Sequence, residues 1–544
     1  MSAVVSPRVR DWRPSGSFYS PLAGVALLLV WQGLVQFVYS GNGTIPSPAQ
    51  IAQQFWADGP MFYILSASHT LRSAALGWVC GNALAIALAM VAVAAPVLAR
   101  PILQLGVVSF CLPLVAIGPV LTLLFDGDIP RIALAALTVF FTTLVGALIG
   151  LRGADPVMLE LVHGFGGRRV DQLVKVRLRA ALPSLFAALR IASPSAILGA
   201  MIAEFLGAEN GLGVILINSQ QGLNYSRTWA IAVFATCVAG LAYGLTSLAA
   251  RALTPWARET TTNIAASAVF AAPATQRGFS ARAARVIGSA LLSTALILLA
   301  WQVLLRETGV SPFIGKGPVD VWIWLRDPAT GAANVQALAG EALVSLRDAS
   351  IGLAAGSCAA ILTAIAFTLW PPLHRTFIGP SLALQSVPLI AVTPVIVLIF
   401  GRNLAAIAVI GGLVAFFPTL VNVSLALSRT PRQAVDLMHV YGASRFATLW
   451  KVQLPSALPA LFASLRIAAP LAVTGAMLAE WLATGQGLGY SMLSASAQSD
   501  YDGLWARVAL STAFSLAIYK LVGFAEQAVL SHFAATQTLN GEIA

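Results

Sequence analysis

Two segments of the chain place the same residue types at the same spacing, 276 residues apart. The first carries Glu160, His163, Phe165, Gly166 and Lys175, and the second carries Asp436, His439, Tyr441, Gly442 and Lys451. Each begins with an acid, places a glycine six residues on and a leucine (Leu178 or Leu454) twelve residues beyond that. The second copy then has Pro455 where the first has Arg179. The spacing predicts a short helix, a turn and a second helix, because glycine closes a helix end at positive φ without steric cost. Proline is expected to end or deflect the second helix and to make the second copy the better defined. Such a segment suits a rigid knob gripped by a partner, with Phe165 and Tyr441 as aromatic anchors. Glu160 and Asp436 would face a basic group there. A polar connection with a helix cap would account for one copy, but two matched copies favour docking. His163 and His439 lack a second ligand at metal-binding spacing and fit the same surface better than a metal centre or an acid–base role.

Other reactive patterns are missing from the sequence. No G-x-x-x-x-G-K-[ST] loop occurs, and Gly315-Lys316-Gly317 lacks the hydroxyl residue that would follow. There is no G-x-S-x-G elbow and no H-E-x-x-H pair. What recurs instead is paired proline in apolar surroundings: Pro113 and Pro119 in the first half, Pro388 and Pro394 in the second. Such prolines free carbonyls that lipid cannot satisfy, so they predict a broken helix beside protein or a wet cavity. Ser109, Gln385, Ser386 and Thr393 are the nearby groups that could meet a solute. Glu204 and Glu480 occupy matched positions near the ends of two apolar runs. An acid within a membrane is a candidate for function, here a gate, and equally a candidate to cap the Gly207–Gly213 or Gly485–Gly489 turn. Arg190 and Arg466 are expected to reach lipid phosphate.

The elements that must position these residues follow from composition. Of 544 residues, 58% are hydrophobic and 10% charged, against about 25% charged in a soluble domain. That excludes an ordinary soluble enzyme and a disordered chain, leaving an all-α polytopic membrane protein. Apolar runs fall near 22–40, 70–95, 101–125, 131–151, 184–206 and 229–252, and again near 285–305, 343–370, 377–400, 403–427, 460–482 and 505–530. Twelve helices in two six-helix halves result, with domains at 1–255 and 285–544 and a linker at 256–284. The halves are repeats: ALPSLFAALRIASP (181–194) and ALPALFASLRIAAP (457–470) agree at eleven of fourteen positions. Even span numbers make the repeat parallel, about an axis along the membrane normal. The net charge of +11 reflects basic connections on the cytoplasmic side, not nucleic-acid binding, and puts both termini in the cytoplasm. Cys80, Cys111, Cys237 and Cys358 read as small buried thiols.

The acid–glycine–leucine–proline segments resemble the E-A-A-x3-G-x9-I-x-L-P loop of ATP-binding-cassette importer permeases. The flanking "LP…LFA.LRIA" and "AE…G.GLG" stretches are similar to permeases for nitrate, sulfonates, taurine, bicarbonate and thiamine-precursor pyrimidines. The resemblance covers nearly the whole chain, although neither copy has the two alanines. It implies two permease units fused in one chain of a prokaryotic inner membrane, forming the pathway for a small polar or anionic solute. It further implies two copies of a separate ATPase subunit carrying ATP and Mg at the cytoplasmic loops. An external solute-binding protein would deliver the substrate. No cofactor and no enzymatic activity are expected of this chain. A secondary transporter with a six-plus-six parallel repeat is the alternative; it should carry ionisable residues deep in several spans, and few occur. Photolabelling the purified chain with an ATP analogue should give no saturable signal; specific labelling would place a nucleotide site here.

Overall fold

The computed structural model describes residues 19–37, 45–257, 309–384 and 389–538, and 294–307 in part. The expected linker at 256–284 lies outside them from residue 258 onward, as does most of the 285–305 run. Among the described residues every regular element is a helix. Eight are long and apolar enough to cross a membrane, and a bent pair makes a ninth.

The first half comprises α1 (Tyr19–Phe37), α2 (Pro48–Asp58), α3 (Pro60–Ala94), α4 (Ala99–Cys111), α5 (Leu114–Leu124), α6 (Ile129–Arg152), α7 (Pro156–Gly164), α8 (Arg169–Phe205), α9 (Leu212–Gln221) and α10 (Tyr225–Leu253). The second half repeats the series. It comprises α11 (Pro318–Leu325), α12 (Gly331–Leu369), α13 (Pro371–Leu384), α14 (Leu389–Phe400), α15 (Leu404–Ser428), α16 (Arg432–Val440), α17 (Arg445–Thr484), α18 (Leu488–Ala497) and α19 (Tyr501–Thr538).

Each half is built on three closely packed helices, α3, α6 and α8 or α12, α15 and α17. Lipid offers no hydrophobic drive for helices to associate, so close backbone approach over small residues must supply it. Gly77 and Gly81 press on Ala135 and Ala136 of α6, and their repeat mates Gly352 and Gly356 press on Gly411 and Gly412 of α15. A Cβ at Gly352 would lie 2.8 Å from the Gly411 Cα, inside van der Waals contact. Both pairs read G-x-x-x-G, a signal in plain view in the sequence.

The run at 101–125 is broken, as its paired prolines predict: α4 and α5 meet at 94°. One expectation needs correction. Of the four cysteines Cys111 alone is buried, while Cys80, Cys237 and Cys358 are exposed on helix faces. A thiol is apolar enough to face lipid as readily as protein.

Gly356→Leu should destabilise the purified protein by roughly 1–3 kcal/mol, the usual cost of overpacking. Gly340→Leu on the same helix has open space around it and should leave the melting curve in place. Equal melting of the two variants would contradict the packing described.

Candidate functional site

The two repeated loops fold alike. In the first, Asp155 caps α7 by accepting a hydrogen bond from the Val157 N–H at 2.9 Å. The helix closes with Gly166 at φ +79°. The Gly166 N–H donates to the His163 carbonyl and the Gly167 N–H to the Val162 carbonyl, both at 2.9 Å. In the second, Gly442 stands at φ +68°, with its N–H on the His439 carbonyl and the Ala443 N–H on the Met438 carbonyl. This is the Schellman closure expected of a glycine at that position. A Cβ at either glycine would touch nothing, so backbone conformation alone selects glycine. Glu160, His163, Asp436 and His439 are exposed, as are Phe165 at 86% and Tyr441 at 80%. Other exposed apolar side chains accompany them, Val157, Met158 and Leu161 on α7 and Leu437 and Val440 on α16, and such a cluster marks a candidate interaction surface.

The helix after each glycine is not a separate piece ended by proline. It is the start of α8 or α17, helices of 37 and 40 residues that run on through the bundle. The join is a π turn in both halves, Gln172–Arg177 and Leu449–Gln453. Pro455 falls in the first turn of the α segment that follows, where its missing N–H breaks no α-type bond. The first half makes the same turn with Arg179 in that place, so proline neither deflects the chain nor sets the two loops apart. Further along, Pro183 and Pro194 of α8, and Pro459 and Pro470 of α17, sit inside unbroken helix.

At the other end of these helices stand Glu204 and Glu480, enclosed at 1% and 0% exposure. The Glu204 carboxylate accepts hydrogen bonds from the Gly213 N–H at 2.8 Å and from the Thr70 hydroxyl at 3.0 Å. Thr70 Oγ1 in turn accepts from the Leu212 N–H at 2.9 Å. Glu480 repeats this with the Gly489 N–H at 2.7 Å, and Ser345 Oγ accepts from the Leu488 N–H at 2.9 Å. Each acid therefore occupies the positive N-terminus of α9 or α18, where free backbone donors favour an anion. Gly211 and Gly487, at φ +135° and +88°, lie so close to the carboxylates that a Cβ would collide with them. Of the two readings open for these acids, this geometry is that of the cap. Thr70 and Ser345 escaped sequence reasoning, although their offset of 275 matches the repeat.

One residue beyond each acid lie Phe205 and Trp481, themselves repeat mates 276 apart. Their rings meet edge to face at 5.0 Å. A residue that touches its own repeat mate lies on the axis relating the halves. The axis is thus blocked by aromatic side chains at the end remote from the loops. Neither residue was singled out from the sequence.

The remaining candidates divide. Pro113 caps the start of α5 at the 94° break, as paired prolines predict, but Pro119 lies buried within α5 without breaking it. Beyond the break, Ala116 and Val120 pack in the second half's core beside Val473 and Met477. Ser109 Oγ on α4 is buried without a hydrogen-bond partner. Thr393 is buried and donates to the Leu389 carbonyl at 2.8 Å. Pro394 lies in α14; Gln385, Ser386 and Pro388 fall outside the described residues. Arg466 does not reach for lipid. It pairs with Glu526 at 3.4 Å and lies over the Tyr519 ring, because α19 supplies an acid within reach.

The repeated loop, the unbroken helix behind it and the paired arrangement about one axis have counterparts among known proteins. The pattern of the binding-protein-dependent transport system inner membrane component matches residues 81–259 and again residues 352–531. The chain belongs to that family. A probable ABC transporter permease protein of Haemophilus influenzae is 28% identical, with 42% of this chain covering 91% of the relative. A formylaminopyrimidine transport permease protein of Halalkalibacterium halodurans is 30% identical over 42% of this chain and 88% of its own length. A putative aliphatic sulfonates transport permease protein of Bacillus subtilis is 27% identical over 45% and 91%. Less than half of this chain spans most of each relative, so this permease is two such units joined in one inner-membrane polypeptide.

Replacing the clasped acid tests the cap in this permease. Glu480→Leu should cost about 1–3 kcal/mol by stranding buried donors, whereas Glu480→Gln, which keeps an acceptor oxygen, should lose much less. Indistinguishable melting of the two would show that the Gly489 contact carries no weight.

Proposed function

We propose that the chain is the translocation pathway of an ATP-driven importer for a small polar or anionic solute, of the size of a sulfonate, taurine, nitrate or a pyrimidine. The observation that carries this reading is mechanical. In each half a single helix joins an exposed knob at one end to a residue on the central axis at the other. A force applied at both knobs would therefore reach the axis through two stiff connections placed symmetrically about it.

In this reading the loops around Phe165 and Tyr441 face the cytoplasm, with both chain termini on the same side. Each loop docks on one copy of an ATPase subunit, which holds the ATP and Mg. Glu160, His163 and Gly166, with Asp436, His439, Gly442 and Pro455, shape the two docking surfaces. Phe205 and Trp481 close the pathway on the outer side, where a solute-binding protein delivers its cargo. Glu204 and Glu480 act on that closure at one remove, by fixing the helix ends that carry it. The break at Pro113 and the prolines at 119, 388 and 394 line or bend the pathway, with Ser109, Gln385 and Ser386 as polar contacts. ATP closure below would rock the halves apart above and admit the solute. Names of relatives supply the solute class, and initial recognition would lie with the binding protein.

Reconstitution in vesicles tests the proposal. Candidate solutes should accumulate only with the chain, the ATPase subunit, the loaded binding protein and ATP all present. Uptake driven by an ion gradient, without ATP or the ATPase, would contradict it and make the protein a secondary transporter.

A further inference from the structure

The second half contains a cavity of about 460 Å³ beneath its loop helix, between the ends of α12 and α15, the start of α13, and α16. Its lining includes Thr368, His374, Ser424, Thr430, Arg432 and Gln453. The repeat provides an internal control. At the matching positions the first half has Val93, Ala99, Leu148, Ala154, Pro156 and Arg177. There Ala99, Leu148 and Ala154 are buried at 8%, 0% and 5%. Arg177 turns inward and donates to the Leu151 carbonyl at 2.9 Å. The first half thus fills this place with Ala99, Leu148, Ala154 and the inward Arg177, whereas the second lines it with hydroxyls, an imidazole and an amide beside the exposed Arg432; an acid, Glu160 or Asp436, stands at the matching position in both.

Polar groups are costly to enclose unless something satisfies them. Ser424, 6% exposed, has a buried hydroxyl with no hydrogen-bond partner. The N-terminus of α16 opens onto the same space through Arg432 and Val435, and its first intrahelical bonds begin only at the Ala434 and Val435 N–H groups, on the Pro431 carbonyl. The start of α13 adds its dipole but no free donor, since Pro371 and Pro372 lack an N–H and those of Leu373 and His374 bond the Trp370 carbonyl. Free N–H groups and the helix dipole make such ends favourable to anions, and an arginine adds a planar donor suited to phosphate. Asp436 is the acid in the lining; it would accept a hydrogen bond from a ligand hydroxyl. At roughly 30 Å³ per water, the space exceeds what a bare ion fills and suits a phosphate joined to a small hydroxylated body.

We propose that the cavity under α16 is a binding site for a phosphate-bearing polyol, either free in solution or as the headgroup of a phospholipid, and that the first half has no equivalent. Its occupant would touch the helix that carries Asp436, so only one of the two loops would sense it. The binding claim stands without the transport reading; the effect on coupling rests on that reading.

The test uses the full chain in phosphatidylcholine nanodiscs, titrated calorimetrically with sn-glycerol 3-phosphate and, separately, with dihexanoyl phosphatidylglycerol. One saturable site per chain is expected, with affinity at least tenfold weaker in Arg432→Gln and in Ser424→Leu, which restores the first-half residue. Saturation by the free phosphate assigns a soluble ligand, and saturation by the short-chain lipid alone assigns a headgroup. No saturable heat with either probe would overturn the proposal, as would unchanged binding in Arg432→Gln retaining wild-type melting.

Discussion

A buried carboxylate at each far helix end holds the architecture in register. Glu204 and Glu480 satisfy backbone donors that would otherwise be stranded in a medium without water, and so they tie the ends of α8 and α17 to the turns that follow. Because each acid bonds Gly213 or Gly489 and sits beside Thr70 or Ser345, three elements of each half meet at one group. Phe205 and Trp481 follow directly, so their position on the axis depends on those clasps.

The length of these helices makes the clasp matter at a distance. At about 1.5 Å per residue, α8 and α17 extend roughly 55–60 Å from the loop glycine to the axis. Packing over Gly77 and Gly81, or Gly352 and Gly356, keeps the neighbouring helices close enough to move with them. Interfaces so closely packed shift between discrete arrangements more readily than they deform. The two π turns sit where the rod leaves the knob, at Gln172–Arg177 and Leu449–Gln453, so both halves join knob to rod in the same way.

Much of this was legible in the residues. The loop glycines, the repeat, the break at Pro113 and the apolar spans all follow from local spacing and hydropathy, which the chain displays over short distances. What was not legible depends on contacts between segments far apart in sequence. Thr70 meets Glu204 across 134 residues, and nothing beside Thr70 announces it. Phe205 and Trp481 look like two ordinary apolar residues until the halves are placed face to face. Pro455 misled for a related reason: its local effect is absorbed by a π turn that the first half makes without a proline. The contrast between the cavity under α16 and the filled matching place in the first half was available from the offset but became meaningful only with burial in hand.

The central claim is that loop and axis move as one piece. Spin labels at Leu206 and Leu482, one residue beyond the aromatic pair, would report on this by pulsed electron resonance in the assembled transporter. With the ATPase subunits bound but nucleotide-free, a short and narrow distance distribution is predicted. Adding a non-hydrolysable ATP analogue should lengthen it, and Gly166→Arg with Gly442→Arg should abolish the lengthening while leaving the starting distance unchanged. A distance that does not respond to nucleotide in the intact complex, or that responds equally with both loop glycines replaced, would contradict the account.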